Sequence, residues 1–212
     1  VSKPKSKIKS SSSKRWLERQ EADPYVQKAR AAGYRSRAAY KLLEINERDQ
    51  LLRKGITVID LGAAPGGWSQ VAVNAVGRQG RVIALDILPM ELIKGVDIVL
   101  GDFQKIEVIE GLVSELQVAV DLVMSDMAPN LSGIAMADQA QAVNLAEMAL
   151  AFAKQVLRKE GVFLVKIFQG AGFQGYIKQL KCEFKQVLIR KPKASRAESR
   201  EVYVLAKGYQ PH

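Results

Sequence analysis

The sequence predicts an α/β fold: a seven-stranded, mostly parallel sheet with helices on both faces. Three observations carry this. Short apolar runs alternate with helix-length segments from Ile56 onward. Most runs are continuously apolar and several are rich in β-branched residues, as in strands buried on both faces. The first run ends in a glycine-rich turn, where a doubly wound sheet contacts its ligand. The runs are Ile56–Leu61, Arg81–Leu85, Val96–Leu100, Ala119–Ser125 and Gly161–Ile167, then Lys185–Arg190 and Glu201–Ala206. Helices are expected over 67–77, 104–117 and 138–158. The last two runs lie too close for a full crossover helix, so an antiparallel hairpin is expected at one edge.

Ahead of the sheet, residues 1–14 are polar, basic and low in complexity, and read as a disordered tail. Residues 15–47 read as a basic helical extension, with apolar positions at Trp16, Leu17, Tyr25, Val26 and Ala29, then Ala38, Ala39, Leu42, Leu43 and Ile45. Gly33 is the expected break between two helices. Residues 48–209 form the α/β domain. No internal repeat or second domain is visible.

The net charge is +10, and its placement is uneven. Residues 1–41 hold twelve Lys/Arg against three Asp/Glu, and residues 42–212 hold twenty against nineteen. A second basic cluster joins Arg190, Lys191, Lys193, Arg196 and Arg200, opposed by Glu198 alone. Arg35 and Arg37 on the extension, with Lys191, Lys193, Arg196 and Arg200 in the later loop, are candidate contacts for a polyanion. One cysteine and one histidine, Cys182 and His212, allow no internal disulfide and no zinc site of the usual kind. Cys182 reads as an ordinary buried residue. No apolar stretch reaches the roughly 20 residues that cross a bilayer, and the basic start is not followed by the apolar core of a secretory signal. A cytoplasmic, metal-independent monomer is the expectation.

The first strand ends in Asp60-Leu61-Gly62-Ala63-Ala64-Pro65-Gly66-Gly67-Trp68. Glycines here let the backbone turn tightly and approach a ligand. The next strand ends in Asp86, twenty residues after Gly66, where a carboxylate can accept from a ribose diol. The third ends in Gly101-Asp102-Phe103; Asp102 could accept from an adenine amino group and Phe103 could pack on the ring. The dinucleotide fingerprint needs a middle glycine to admit a pyrophosphate. Ala64 takes that place, and Pro65 removes an amide donor. The turn suits a cofactor with adenosine and no phosphate, a description S-adenosylmethionine meets, and it speaks against a nicotinamide dinucleotide.

Run four ends in Ser125-Asp126-Met127-Ala128-Pro129, and run five carries Lys166 inside an otherwise apolar strand. A buried ammonium is costly unless paired or neutral. If runs four and five are neighbours, Asp126 and Lys166 meet above one edge. An antiparallel last strand would bring Glu201 to the same place.

With these residues in view, the sequence resembles the FtsJ/RrmJ family of ribosomal RNA 2′-O-ribose methyltransferases over about Ser11 to Lys207. The segments that carry the resemblance are YRSRAAYKLLEI (34–45), DLGAAPGGWSQ (60–70), ALDILPM (84–90), GDF (101–103), MSDMAPN (124–130), VKIFQG (165–170) and KPKASRAESREVY (191–203). The resemblance implies a Rossmann-like methyltransferase fold and a Lys-Asp-Lys-Glu tetrad at Lys41, Asp126, Lys166 and Glu201. It implies S-adenosylmethionine contacts at Gly66, Trp68, Asp86, Asp102 and Asp126. It also implies a uridine of large-subunit (23S) ribosomal RNA as acceptor, within the large ribosomal subunit. Lys166 would act as the base or hold the oxygen in line. Burial and Lys41 favour its neutral form; Asp126 and Glu201 oppose them. Transfer to tRNA or mRNA, or RNA binding without catalysis, remain as alternatives. Tyr34 and Tyr40 are candidates for stacking on bases.

Overall fold

The computed structural model describes residues 23–116, 119–129 and 132–211. The expected tail over 1–14, the start of the helical extension and His212 lie outside them. Two helices come first, α1 (Pro24–Ala31) and α2 (Ala38–Asp49). Asp23 caps α1 by accepting from the Tyr25 N–H, with Pro24 at the first helical position. Gly33, at φ +74°, makes the break.

The α/β part runs β1 (Thr57–Leu61), α3 (Gly67–Val76), β2 (Arg81–Asp86), β3 (Val96–Leu100), α4 (Ile106–Leu116), β4 (Val120–Ser125), α5 (Ala135–Val156), β5 (Leu157–Phe168), α6 (Phe173–Glu183), β6 (Phe184–Arg190) and β7 (Glu201–Tyr209). The sheet has seven strands in the order β3-β2-β1-β4-β5-β7-β6. β3, β2, β1, β4 and β5 are parallel to their neighbours; β7 is antiparallel to both β5 and β6. The predicted α/β architecture and the β6–β7 hairpin are therefore present. Two features go beyond the sequence reading. The last strand lies between β5 and β6, leaving β6 at the edge. A further helix, α6, bridges β5 and β6, burying Phe173, Tyr176, Ile177 and Leu180 at helical spacing. Cys182 is exposed, contrary to expectation: it lies beyond Leu180, on the side of α6 turned from the sheet.

Each sheet face has its own core. α4, α5 and α6 cover one, with Val123, Phe163, Val165 and Val204 beneath them. α2 and α3 cover the other, with Leu122, Met124, Leu164, Tyr203 and Leu205 beneath. Side chains alternate along a strand. Lys166 therefore shares the α2 face with Leu164, Glu201 shares it with Tyr203, and Asp126 continues the parity of Leu122 and Met124. The registers Met124↔Leu164 and Lys166↔Tyr203 bring these strand ends level.

Candidate active site

The β1–α3 turn is held from both sides. The Asp86 carboxylate accepts from the Ala64 N–H and the Leu88 N–H, each at 2.8 Å. Gly62, at φ +69°, donates its N–H to the Leu85 carbonyl at 2.9 Å. A Cβ on Gly62 would lie 2.1 Å from Met127 Cγ. Gly62→Ala is thus expected to lower stability by about 2–3 kcal/mol, from left-handed strain and overpacking, and to displace the segment after β4. Urea unfolding with and without cofactor checks this; an unchanged midpoint would show that the turn tolerates a side chain.

Between this turn and the start of α2 lies a cavity of about 180 Å³, walled by Ser36, Ala38, Asp60, Gly62–Pro65, Gly67, Trp68 and Asp126. Two carboxylates and no Lys or Arg face it, so it suits a cationic group. The Ala64 N–H is already spent on Asp86 and Pro65 has none, which disfavours a phosphate. An outer hollow of about 570 Å³ shares Ala64 and Pro65 and runs along Leu88–Glu91. Asp102 accepts from the Gln104 N–H through Oδ1. Gly66 is the left-handed residue capping α3, with Ile93 and Arg35 against it. Trp68 is 3% exposed, donates Nε1–H to the Ala38 carbonyl at 2.8 Å and packs against Tyr203. It braces α3, α2 and β7 together. Phe103 is buried edge-on against Phe152, in the core.

At the floor of the cavity, Asp60 is 2% exposed and accepts from the Ser69 hydroxyl at 2.6 Å. Burial, with smaller contributions from Asp126 and Asp86, pushes its carboxyl up to about 7 despite that hydrogen bond.

Beside the cavity, four charges close on one another. Lys166 Nζ lies 3.0 Å from Asp126 Oδ1 and donates to the Asp126 carbonyl at 2.5 Å. Lys41 Nζ lies 2.8 Å from Glu201 Oε1 and 3.8 Å from Asp126 Oδ1. Both lysines are only 9% exposed. Tyr203, which sequence reading did not single out, donates to Asp126 Oδ1 at 2.6 Å and lies under Lys41. Burial and the two carboxylates hold its phenol well above the ordinary range, so it remains a donor. Ser195 donates to Glu201 Oε1 at 2.7 Å. Burial would raise the Glu201 carboxyl, but Lys41, Lys166 and Ser195 outweigh it and hold it below its usual value. Burying ion pairs gains little stability over apolar packing, so a cluster of this kind beside a cavity marks chemistry.

The candidate polyanion contacts divide into two groups. Arg35 donates to the carbonyls of Pro65, Glu91 and Leu92, and Arg37 to Asp23 and the Ala194 carbonyl. Lys191 donates to the carbonyls of Ser199 and Glu201. These three hold the fold together. Lys193, Arg196 and Arg200 are exposed. Their loop is anchored by Glu44, which accepts from the Lys193 and Ala194 N–H groups. Tyr34, Tyr40 and Tyr25 pack on one another.

Fold, turn and charge cluster together define an α/β methyltransferase. Residues 34–209 match the family model of the FtsJ-like methyltransferases. The chain belongs to that family. It is 54% identical over 202 residues to the ribosomal RNA large subunit methyltransferase E of Cellvibrio japonicus, covering 95% of this chain and 96% of the relative. It is 58% identical over 194 residues to the protein of that name from Azoarcus sp., covering 91% and 95%. A Plasmodium falciparum crystal structure, provisionally named a ribosomal RNA methyltransferase, superposes with a TM-score of 0.76 at 29% identity, covering 84% of this chain and all of that one. Among the described residues no helix is long and apolar enough to cross a membrane.

Proposed function

We propose that this protein transfers a methyl group from S-adenosylmethionine to the 2′-hydroxyl of a uridine ribose in large-subunit ribosomal RNA. The observation that carries the proposal is Lys166, buried, paired with Asp126 and poised beside the cavity. The names of the relatives support the RNA class. The cavity and outer hollow would hold the cofactor, with Trp68 in the wall, Gly66 capping the helix beside it, Asp126 and Asp60 facing the cationic end, and Asp86 and Asp102, at the ends of the neighbouring strands, reaching the adenosine. S-adenosylmethionine supplies an already activated methyl group.

The chain then has to present an alcohol oxygen in line and manage its proton. Lys166 reaches that oxygen, as base or as the group holding it in line, worth about 10²–10⁴-fold for a positioned proton acceptor. Asp126 and Tyr203 fix the Lys166 amine. Lys41 neutralises Glu201 and leaves Lys166 to Asp126. Much of the remaining rate is positioning.

The extension over 15–47 and the 191–200 loop would flank the acceptor strand, with Lys193, Arg196 and Arg200 on phosphates. Arg196→Ala with Arg200→Ala is expected to weaken RNA binding and to flatten its salt dependence by about 0.7 log units per lost contact. A salt titration checks this; an unchanged slope would remove both residues from the RNA path. The function itself is tested by transfer of labelled methyl to large subunits and to free ribosomal RNA, with products resolved as nucleosides. The expected product is 2′-O-methyluridine. Incorporation only into tRNA or mRNA, or into a base, would overturn the proposal.

A further inference from the structure

A groove of about 530 Å³ lies between the first turns of α5 and the loop that follows β5. Met136, Ala140 and Val143 line it, with Arg200 at one end and Glu147 at the other. Met136 is 85% exposed, and Ile134, just ahead of the helix, 65%. Single exposed apolar residues mean little, but apolar side chains gathered on a concave surface mark a binding site. The groove is preformed. Gln139, 6% exposed, reaches from α5 and donates Nε2–H to the carbonyls of Phe168 and Ala171 at 2.9 and 3.1 Å. Its Oε1 lies where any Cβ on residue 170 would come within 2.8 Å, so the loop sits this close only because Gly170 is glycine.

The groove lies on the α5–α6 face of the sheet and is tied to the charge cluster on the other face through the backbone. The Gln169 N–H donates to the Arg200 carbonyl at 3.0 Å, and the next residue is Glu201. Both walls rise from the carboxyl ends of β4 and β5, the edge that carries Asp126 and Lys166.

We propose that this groove holds one unpaired nucleobase from the nucleotide next to the acceptor. The inference rests on the RNA reading above. Single-stranded RNA is held by bases laid on apolar faces while cations hold the phosphates. The groove offers an apolar floor with a guanidinium at the end nearer the cluster. Glu147 repels phosphate from the far end, so the backbone stays beside Arg200 and only a base enters.

The test is binding of a short, uridine-centred single-stranded RNA at low salt, intact or with an abasic residue on either side of the centre. The wild type is expected to bind the intact strand about tenfold more tightly than one of the abasic strands. Ala140→Trp fills the groove from an exposed helix position away from the charge cluster, and Met136→Glu charges it. Both are expected to bind all strands with the weaker affinity while keeping the wild-type melting temperature and cofactor affinity. Equal binding of intact and abasic strands by the wild type, or discrimination kept in both variants, overturns the inference. So does a raised KM for large subunits in the variants without abasic discrimination in the wild type, which would make the groove a protein contact. Loss of the RNA reading has a separate signature: no RNA binding and no methyl transfer to ribosomal RNA by the wild type.

Discussion

Replacement of Lys166 with alanine is expected to lower methyl transfer by about 10²–10⁴-fold, the contribution of a positioned proton acceptor, while cofactor affinity stays within about twofold. The amine contacts Asp126, which belongs to the cavity wall, but is not itself part of the wall that would hold the cofactor. Asp126 also accepts from Tyr203 at 2.6 Å and lies 3.8 Å from Lys41, so it is expected to retain partners when the Lys166 amine is removed. Single-turnover transfer and equilibrium cofactor binding are measured together. Near-normal turnover would remove Lys166 from the chemistry, and a parallel loss of cofactor binding would make it a wall of the cofactor site. Lys166→Arg separates two roles: an arginine can hold an oxygen but stays charged at working pH. Partial activity in that variant identifies holding as the larger part.

The second large effect concerns Asp60. Its carboxyl is raised to about 7 in the folded protein from an ordinary value of 3.8. Between those limits the folded state keeps a proton that the unfolded chain has lost, so stability falls as pH rises through this window. The shift corresponds to about 4 kcal/mol at most, complete above pH 7 and absent below pH 4. Asp60→Asn still offers an acceptor to Ser69 but cannot ionise. The difference in unfolding free energy between wild type and variant is therefore expected to move in favour of the variant by a few kcal/mol from pH 4 to pH 8. Urea unfolding of the cofactor-free proteins across that range measures it. A difference that does not change with pH would mean Asp60 is ionised throughout.

The strands were legible because most are continuous apolar runs, but a run apolar on both faces does not say which helices cover which face. An antiparallel last strand beside β5 is expected from Glu201, and β7 lies there; that β6 takes the outer edge has no signal in the hydrophobic pattern. α6 had its signal in Phe173, Tyr176, Ile177 and Leu180, obscured by the short stretch between two strand patterns. Asp126, Lys166 and Glu201 stood out as charges at the ends of apolar runs. Lys41 did not; on an amphipathic helix a lysine reads as surface, and only the resemblance pointed to it. Tyr203 passed for an ordinary core residue because its hydroxyl partner is 77 positions away. Arg35 and Arg37 show the same limit. Charge is visible in a sequence, but the backbone carbonyls that take up a guanidinium are not.

The insertion of β7 between β5 and β6 also orders events during synthesis. Chains fold largely as they emerge, and β7 is the last strand of the sheet to be made. Until it arrives, β5 exposes an unpaired edge, β6 has no strand to pair with, Asp126 lacks the Tyr203 hydroxyl, and Lys41 lacks Glu201. The charge cluster is thus the last part of the molecule to be assembled, after the β1–α3 turn and the strands that surround it.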